Sequence, residues 1–372
     1  MKHVHLANIH RSLGAQLVDF AGWEMPLKYS SIAEEHLAVR KAAGLFDASH
    51  MGELDVRGSG AIEFLQRLTS NDVARLEIGE AQYSTVLNEA GGVMDDVLVY
   101  RTGKREFIVV CNAVNVEKIN GWFSGHRNEE VIIRDISATT VLLALQGPRS
   151  QQILQPLTTL DLTQLKRYRA TRTDVAGVQT LVSRSGYTGE DGFELFIFDE
   201  PATNPARAEK LWKTLLQTGR GAGLKPCGLG ARDTTRLEAG LCLYGNELTE
   251  EITPLEALIE FAVKFEKGEF IGRAPLLEQK RSGPKRVRIG LRMLEAGVPR
   301  QGYGIFKGDE KVGAVTSGTF SPLLKIGIAM GYARPGLDVG DKISVEIHGK
   351  KRAAEVVNWP FYDPTLYGHS RH

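Results

Sequence analysis

Three glycine-punctuated stretches hold residue types able to do chemistry, at spacings that chemistry can use. In the first, the turn Asn88-Glu89-Ala90-Gly91-Gly92 opens the apolar run Val93-Met94-Asp95-Asp96-Val97-Leu98-Val99-Tyr100. Adjacent carboxylates at the head of an apolar strand are costly unless one is used or paired. Strand alternation sends Asp95 and Asp96 to opposite faces, with Asp96 on the face of Leu98 and Tyr100. One acid can then reach a pocket while the other caps the turn; equally, both can end the hairpin in water. In the second, Ser185-Gly186-Tyr187-Thr188-Gly189-Glu190-Asp191-Gly192 runs into a strand at Phe193, and Glu194 faces opposite to Phe193 and Leu195. A carboxylate there can accept the paired N–H and NH₂ edge of a pterin or guanine ring, or it can stand in solvent on a half-exposed strand. In the third, the turn Pro226-Cys227-Gly228-Leu229-Gly230 feeds a helix on which Arg232 and Arg236 share a face. Their guanidinium forks suit a carboxylate or polar heterocycle. The same spacing also suits a surface ladder with Asp233 and Glu238.

Other chemistries lack their signatures. Gly-Ser-Gly at 58–60 and Gly-Leu-Gly at 228–230 do not complete GxGxxG, because Glu63 and Asp233 occupy the last position. There is no GxxxxGK[ST], GxSxG or HExxH. Among nine histidines only His3/His5 and His369/His372 lie close together, both pairs near the termini. No nucleotide and no metal is expected, and the chemistry falls to carboxylates and positioned hydrogen bonds.

Elements must hold these stretches in place. Helical spacing predicts a helix over 32–43 ending at Gly44 as a left-handed stop, and a second carrying Ile62, Leu65 and Leu68 behind a Ser59 cap. Two more are predicted over 206–218 and 231–239. β-branched runs predict strands over 95–100 and 106–112 joined by a hairpin at 101–104, then over 131–136 and 139–145. Further on, Val287, Ile289, Leu291 and Met293 alternate with polar or small residues, as do Ile343, Val345 and Ile347 later. That pattern predicts a half-buried antiparallel sheet, so an all-β domain follows a linker at 279–284.

With 372 residues the chain is long enough for two or three domains. Its 46 Lys and Arg against 45 Asp and Glu leave no net basic excess to draw it to nucleic acid or an anionic membrane. No apolar run approaches the roughly 20 residues of a membrane span, and the first residues do not begin a signal peptide. Cys111, Cys227 and Cys242 are odd in number and lack CxxC spacing, which fits a reducing compartment; the expected location is cytoplasmic.

The three stretches, in this order, resemble the glycine cleavage T-protein (aminomethyltransferase) family. The likeness begins at Val18-Asp19-Phe20-Ala21-Gly22-Trp23-Glu24-Met25-Pro26-Leu27 and continues through Gly44-Leu45-Phe46-Asp47-Ala48-Ser49-His50-Met51-Gly52. It takes in Gly91-Gly92-Val93-Met94-Asp95-Asp96, Gln146-Gly147-Pro148, Gly186-Tyr187-Thr188-Gly189-Glu190 and Gly228-Leu229-Gly230-Ala231-Arg232-Asp233, and closes with Thr316-Ser317-Gly318-Thr319-Phe320-Ser321-Pro322. It implies an α+β fold of three domains arranged as a cloverleaf around a central folate site, the last an all-β barrel or jelly roll. The division expected is 1–52 with 138–250, 53–137 with 251–280, and 281–372. It also implies transfer of the methylene carbon of an aminomethyl group, held on the lipoyl arm of the H-protein, to tetrahydrofolate as co-substrate. Functional links to glycine decarboxylase (the P-protein) and dihydrolipoyl dehydrogenase follow from the same likeness. On the matching positions Asp96 is the catalytic acid, and Glu194 and Arg232 hold the pterin. Tyr83, Tyr100, Asn112, Tyr187 and Met51 fall on the folate site, with Tyr367 as a C-terminal ligand. Around Cys242 the sequence partly resembles a related folate-binding family that maintains iron–sulfur clusters, but Gly240-Leu241 and Asn246 break that signature and leave Cys242 a packing residue. A folate-dependent demethylase on the same scaffold and a non-catalytic folate-binding module are the competing readings.

Overall fold

Strand alternation sorts the chain into layers. The computed structural model describes residues 1–371, so His372 of the C-terminal histidine pair lies outside them. A six-stranded sheet runs in the order Ala170–Val175, Val178–Ser183, Gly192–Ile197, Val141–Gln146, Ala43–Asp47, Leu224–Pro226. All neighbours are antiparallel except the last pair. Leu45, Leu143, Leu145, Phe193 and Leu195 point to one face and pack on Leu211, Trp212 and Leu215 of helix Ala206–Gly219. Complete burial of such a side chain stabilises by about 1.5–3 kcal/mol.

A second sheet, antiparallel throughout, runs Ala81–Leu87, Val93–Gly103, Glu106–Cys111, Gly52–Arg57, Ile132–Asp135. Its Val97, Val99, Phe107 and Val109 pack against helices Ala61–Leu68 and Val116–His126. The remaining faces of the two sheets meet. Tyr100, Ile108 and Val110 from one share a core with Leu142, Leu181 and Phe196 from the other. Asp96 and Glu194 therefore belong to strand faces turned toward one another.

After residue 286 six strands close into a barrel in the order Val287–Met293, Ile326–Ala333, Glu310–Ser321, Gly304–Lys307, Lys342–Ile347, Lys350–Val357. Ile289, Leu291, Met293, Val345 and Ile347 fill it, as their alternation predicts, and closure leaves no free strand edge. Among the described residues no helix is long and apolar enough to cross a membrane.

Three local expectations are corrected. The first helix, Ile32–Lys41, begins at a Ser31 cap whose Oγ accepts from Glu34 N at 3.1 Å, but it ends before Gly44, which lies within strand Ala43–Asp47. A Cβ on Gly44 would stand 2.6 Å from Val39 Cγ2 and 2.7 Å from Cys227 Sγ, so this glycine permits close approach of helix and strand. Helix Ala61–Leu68 starts after Gly60 without a side-chain cap, so Ser59 has no such role. The expected linker is mostly the end of a helix, Arg273–Ser282. Buried Leu276 anchors it, Lys280 and Arg281 complement the dipole of its last turn, and Gly283 follows at φ 81°.

The parts are tied together by a cation. Arg40 is fully buried. Its Nε donates to Glu238 Oε2 at 2.9 Å, its Nη1 to Glu190 Oε1 at 3.1 Å and Thr188 O at 2.8 Å, and its Nη2 to Thr235 O at 2.9 Å. Tyr362 of the C-terminal tail stacks on its guanidinium at 4.6 Å. Glu238 also accepts from Ser321 of the barrel, and Glu190 accepts from Gly368 N at 3.1 Å and pairs with Arg371. Arg40→Met leaves Glu190 and Glu238 buried with less compensation. It should lower unfolding free energy in urea by about 3–5 kcal/mol and expose the segment after 358 to limited proteolysis. Wild-type stability in this variant would show that the two carboxylates find other partners.

Candidate active site

A cavity of about 380 Å³ opens where the facing sheets, helix Leu229–Glu238 and the C-terminal tail converge. Neither acid of the Asp95-Asp96 pair ends in water. Asp95 is fully buried and accepts from Asn112 N at 2.9 Å, Asn112 Nδ2 at 2.7 Å and Asn115 Nδ2 at 2.6 Å. Asp96 faces the cavity, where its Oδ2 accepts from the Tyr83 hydroxyl at 3.0 Å and its Oδ1 from Asn112 Nδ2 at 2.8 Å. Burial pushes both carboxyls above the usual carboxylate range, and the charge of Asp96 pushes Asp95 further. Hydrogen bonds from Tyr83 and Asn112 hold the Asp96 shift back. The Tyr83 hydroxyl is itself driven well up by burial and by Asp96, so it stays a donor.

Glu194 stands across the cavity from the other sheet. Only 7% exposed, it does not occupy a solvated position. Its Oε2 accepts from Ser185 Oγ at 2.5 Å and Tyr100 OH at 3.2 Å, which leaves Oε1 for a ligand. The two arginines of the third stretch part company. Arg236 is spent on structure, bound to Asp233, Glu247 Oε2 (2.9 Å) and Ser317 Oγ (2.8 Å). Arg232 forms no ion pair among the described residues and lies over the Tyr187 ring at 4.8 Å, facing the cavity. Tyr187 is fixed by donating to Cys242 O. The arrangement offers an acceptor in Glu194, a cation in Arg232 and a donor-braced acid in Asp96, which is what is needed to orient a polar heterocycle and act on it.

Met51, Tyr83, Asn112 and Tyr187 line the cavity. Tyr100 does not; it is buried behind Glu194 and braces it. Tyr367 is not a lining residue either. Its ring packs on Tyr362 at 6.3 Å, and Trp359, Pro360, Tyr362 and His369 are the tail residues that reach the cavity. Cys242 touches the cavity, but burial pushes its thiol up to about 12, which makes it a packing group and not a nucleophile. Among the described residues no cluster of three or more His, Cys, Asp or Glu could hold a metal ion.

The rims are unlike. Near Asp96 the edge is apolar and exposed, formed by Val114, Leu258 and Phe261; at another edge stand Arg167 and His369. Sequence reasoning noted His369 only as one of a terminal histidine pair and passed over the others, and also His50, which lay inside a quoted motif with nothing in its spacing to mark it. His50 is buried against the cavity, edge-on to Phe20 at 5.6 Å. Burial and nearby Arg232 lower its imidazole from 6.5 to about 3. The unfolded chain therefore takes a proton below pH 6.5 that the folded chain refuses until about pH 3, so acidification through this window destabilises the protein. This one group should widen the stability gap between pH 7 and pH 5 by about 1–2 kcal/mol. Urea titrations at the two pH values should show the gap shrinking by that amount in His50→Gln. An unchanged gap would mean that His50 titrates normally.

The chain matches the GCVT N-terminal domain over residues 6–267 and the glycine cleavage T-protein C-terminal barrel domain over residues 286–363. It is 48% identical to an aminomethyltransferase of Geobacillus thermodenitrificans over 366 residues, 97% of this chain and 98% of that protein. It is 47% identical to an aminomethyltransferase of Desulforamulus reducens, with the same coverage of 97% and 98%. The crystal structure of glycine cleavage system aminomethyltransferase T from Bartonella henselae aligns with a TM-score of 0.89 at 37% identity, over 97% of this chain and 98% of that one.

Proposed function

The chain belongs to the glycine cleavage T-protein family and is an aminomethyltransferase, and we propose that its transfer takes place in the cavity between the sheets, from the lipoyl arm of the H-protein to tetrahydrofolate. The observation that carries this reading is the meeting of Asp96 and Glu194, from facing sheets, in one cavity with Arg232. Glu194 would accept the N3–H and 2-amino group of the pterin, with Arg232 beside it, and so set the ring's register. Met51, Asn112 and Tyr187 would complete the walls, Tyr83 would brace Asp96, and Tyr100 would brace Glu194 from behind. The three-unit division of the chain belongs to the same proposal; each sheet and the barrel draw their strands from one unit, give or take a residue. A cytoplasmic setting is supported by three unpaired, buried cysteines.

The chemistry asks little beyond position and charge. Folate N5 takes the carbon of the S–CH₂–NH₂ group, ammonia departs, and N10 closes the ring as the lipoyl sulfur leaves. The protons lost from N5 and N10 end on ammonia and on the thiol, so the products are 5,10-methylenetetrahydrofolate, ammonia and dihydrolipoyl H-protein. Cationic character develops at the carbon between two heteroatoms. An ionised Asp96, held in place by Tyr83 and Asn112, would orient N10 and stabilise that charge. Burial that holds its carboxyl above the usual carboxylate range suits a group that takes part in passing the N10 proton.

Asp96→Asn keeps the shape and removes the charge. It should lower kcat by about 10- to 1,000-fold while tetrahydrofolate affinity changes little. The assay is ammonia and methylenetetrahydrofolate formation from aminomethyl-loaded H-protein, run with and without tetrahydrofolate. Normal turnover with lost folate binding would reverse the role given to Asp96. Folate binding by the wild type without any turnover of the loaded carrier would instead sink the choice of donor.

A further inference from the structure

His50 is a buried polar side chain that the chain itself does not satisfy. It is 3% exposed, and its Nδ1 is sealed from solvent without a hydrogen-bond partner. Burial and the neighbouring charges of Arg232 and Asp47 are what act on the imidazole, and no hydrogen bond within the described residues does. Nε2 is not sealed in this way, and the residue lines the cavity. Buried polar groups without partners are uncommon enough to call for a ligand or a strained role. An orphaned N–H costs more than an orphaned lone pair, which puts the proton on Nε2 and leaves Nδ1 as the bare lone pair. His50 thus aims a neutral donor into the quarter of the cavity that holds Arg232.

A pterin held through N3–H and its 2-amino group by Glu194 carries its 4-oxo oxygen at the next ring position. That oxygen needs donors, and a carboxylate has none to give. We propose that His50 donates its Nε2–H to the 4-oxo oxygen of the folate ring, so that it reads the substituent at C4 of the heterocycle beside Glu194 and Arg232. This rests on the tetrahydrofolate reading above. A neutral donor at this place tells an oxo group from an amino group: a 4-amino ring would present hydrogens to the imidazole N–H. A cation such as Arg232 is a weaker judge of that difference, because its fork can turn to other acceptors.

The test compares three substitutions with two ligands. Gln sets its Nε2 where histidine has Nε2, Asn reaches only the Nδ1 position, and Leu has neither. Equilibrium binding of tetrahydrofolate and of its 4-amino-4-deoxy analogue should be measured on full-length wild type, His50→Gln, His50→Asn and His50→Leu, with each variant's melting temperature recorded. For tetrahydrofolate, His50→Gln should stay within about 3-fold of wild type, and His50→Asn and His50→Leu should weaken by about 3- to 30-fold. For the analogue, weak to wild type, the last two variants should bind as well as wild type or better. Equal losses for both ligands, or no loss for either, would overturn the role of His50 while leaving the folate reading intact. If wild type failed to bind tetrahydrofolate at all, the folate reading itself would fall. A variant that does not fold is identified by its melting curve, and the comparison between ligands is then carried by whichever of His50→Asn and His50→Leu does fold.

Discussion

A buried guanidinium is what the rest of the molecule must accommodate. Arg40 has no water to solvate it, so its charge must be met by carboxylates and carbonyls brought to it. Glu190 comes from the glycine-rich loop of the second chemical stretch, and Glu238 from the last turn of the helix that carries Arg232. Ser321 of the barrel and Gly368 and Arg371 of the tail then complete those two carboxylates. Separate units are thereby fastened at one point, and the fastening depends on geometry more than on apolar area. A buried ionic cluster of this sort adds little net stability compared with a hydrophobic substitute, but it tolerates few alternative arrangements.

The cavity is a by-product of that fastening. Loop 186–190, the Arg232 helix and the tail are held around Arg40, and they form the side of the cavity away from the Asp96 strand. Arg236 repeats the device on the barrel side through Glu247 and Ser317. Two arginines of one helix, four residues apart, thus divide the labour. One is consumed in holding the barrel to the helix, and the other forms no ion pair among the described residues and faces the cavity.

Much of this was legible in the sequence, and the physical reasons for the remainder are specific. Alternation placed Asp96 with Leu98 and Tyr100, and Glu194 opposite Phe193 and Leu195, because a period of two leaves no choice once one face is buried. The barrel strand Val287–Met293 was visible for the same reason. Glycine was harder to read. Gly44 carries the same letter whether it ends a helix or lets two backbones approach, and only the neighbours Val39 and Cys227 decide. The run at 279–284 looks like a linker by composition, yet buried Leu276 one turn earlier holds it in a helix. Family likeness supplied Arg232 in preference to Arg236, which spacing alone could not do. It also pointed to Tyr367 through a loosely matching tail, and that ring packs on Tyr362 and does not line the cavity. His50 escaped because one histidine after a turn has no period and no partner in the sequence.

The order of strands in the first sheet carries a consequence for the chain as it is made. Strand Ala43–Asp47 has Val141–Gln146 on one side and Leu224–Pro226 on the other. When it leaves the ribosome neither neighbour exists, and about 180 residues must follow before both do. The second sheet, by contrast, is complete by Asp135. During synthesis the sheet bearing Asp96 can close first and alone, while the strand preceding it waits with unpaired edges for the half of the site that carries Glu194 and Arg232.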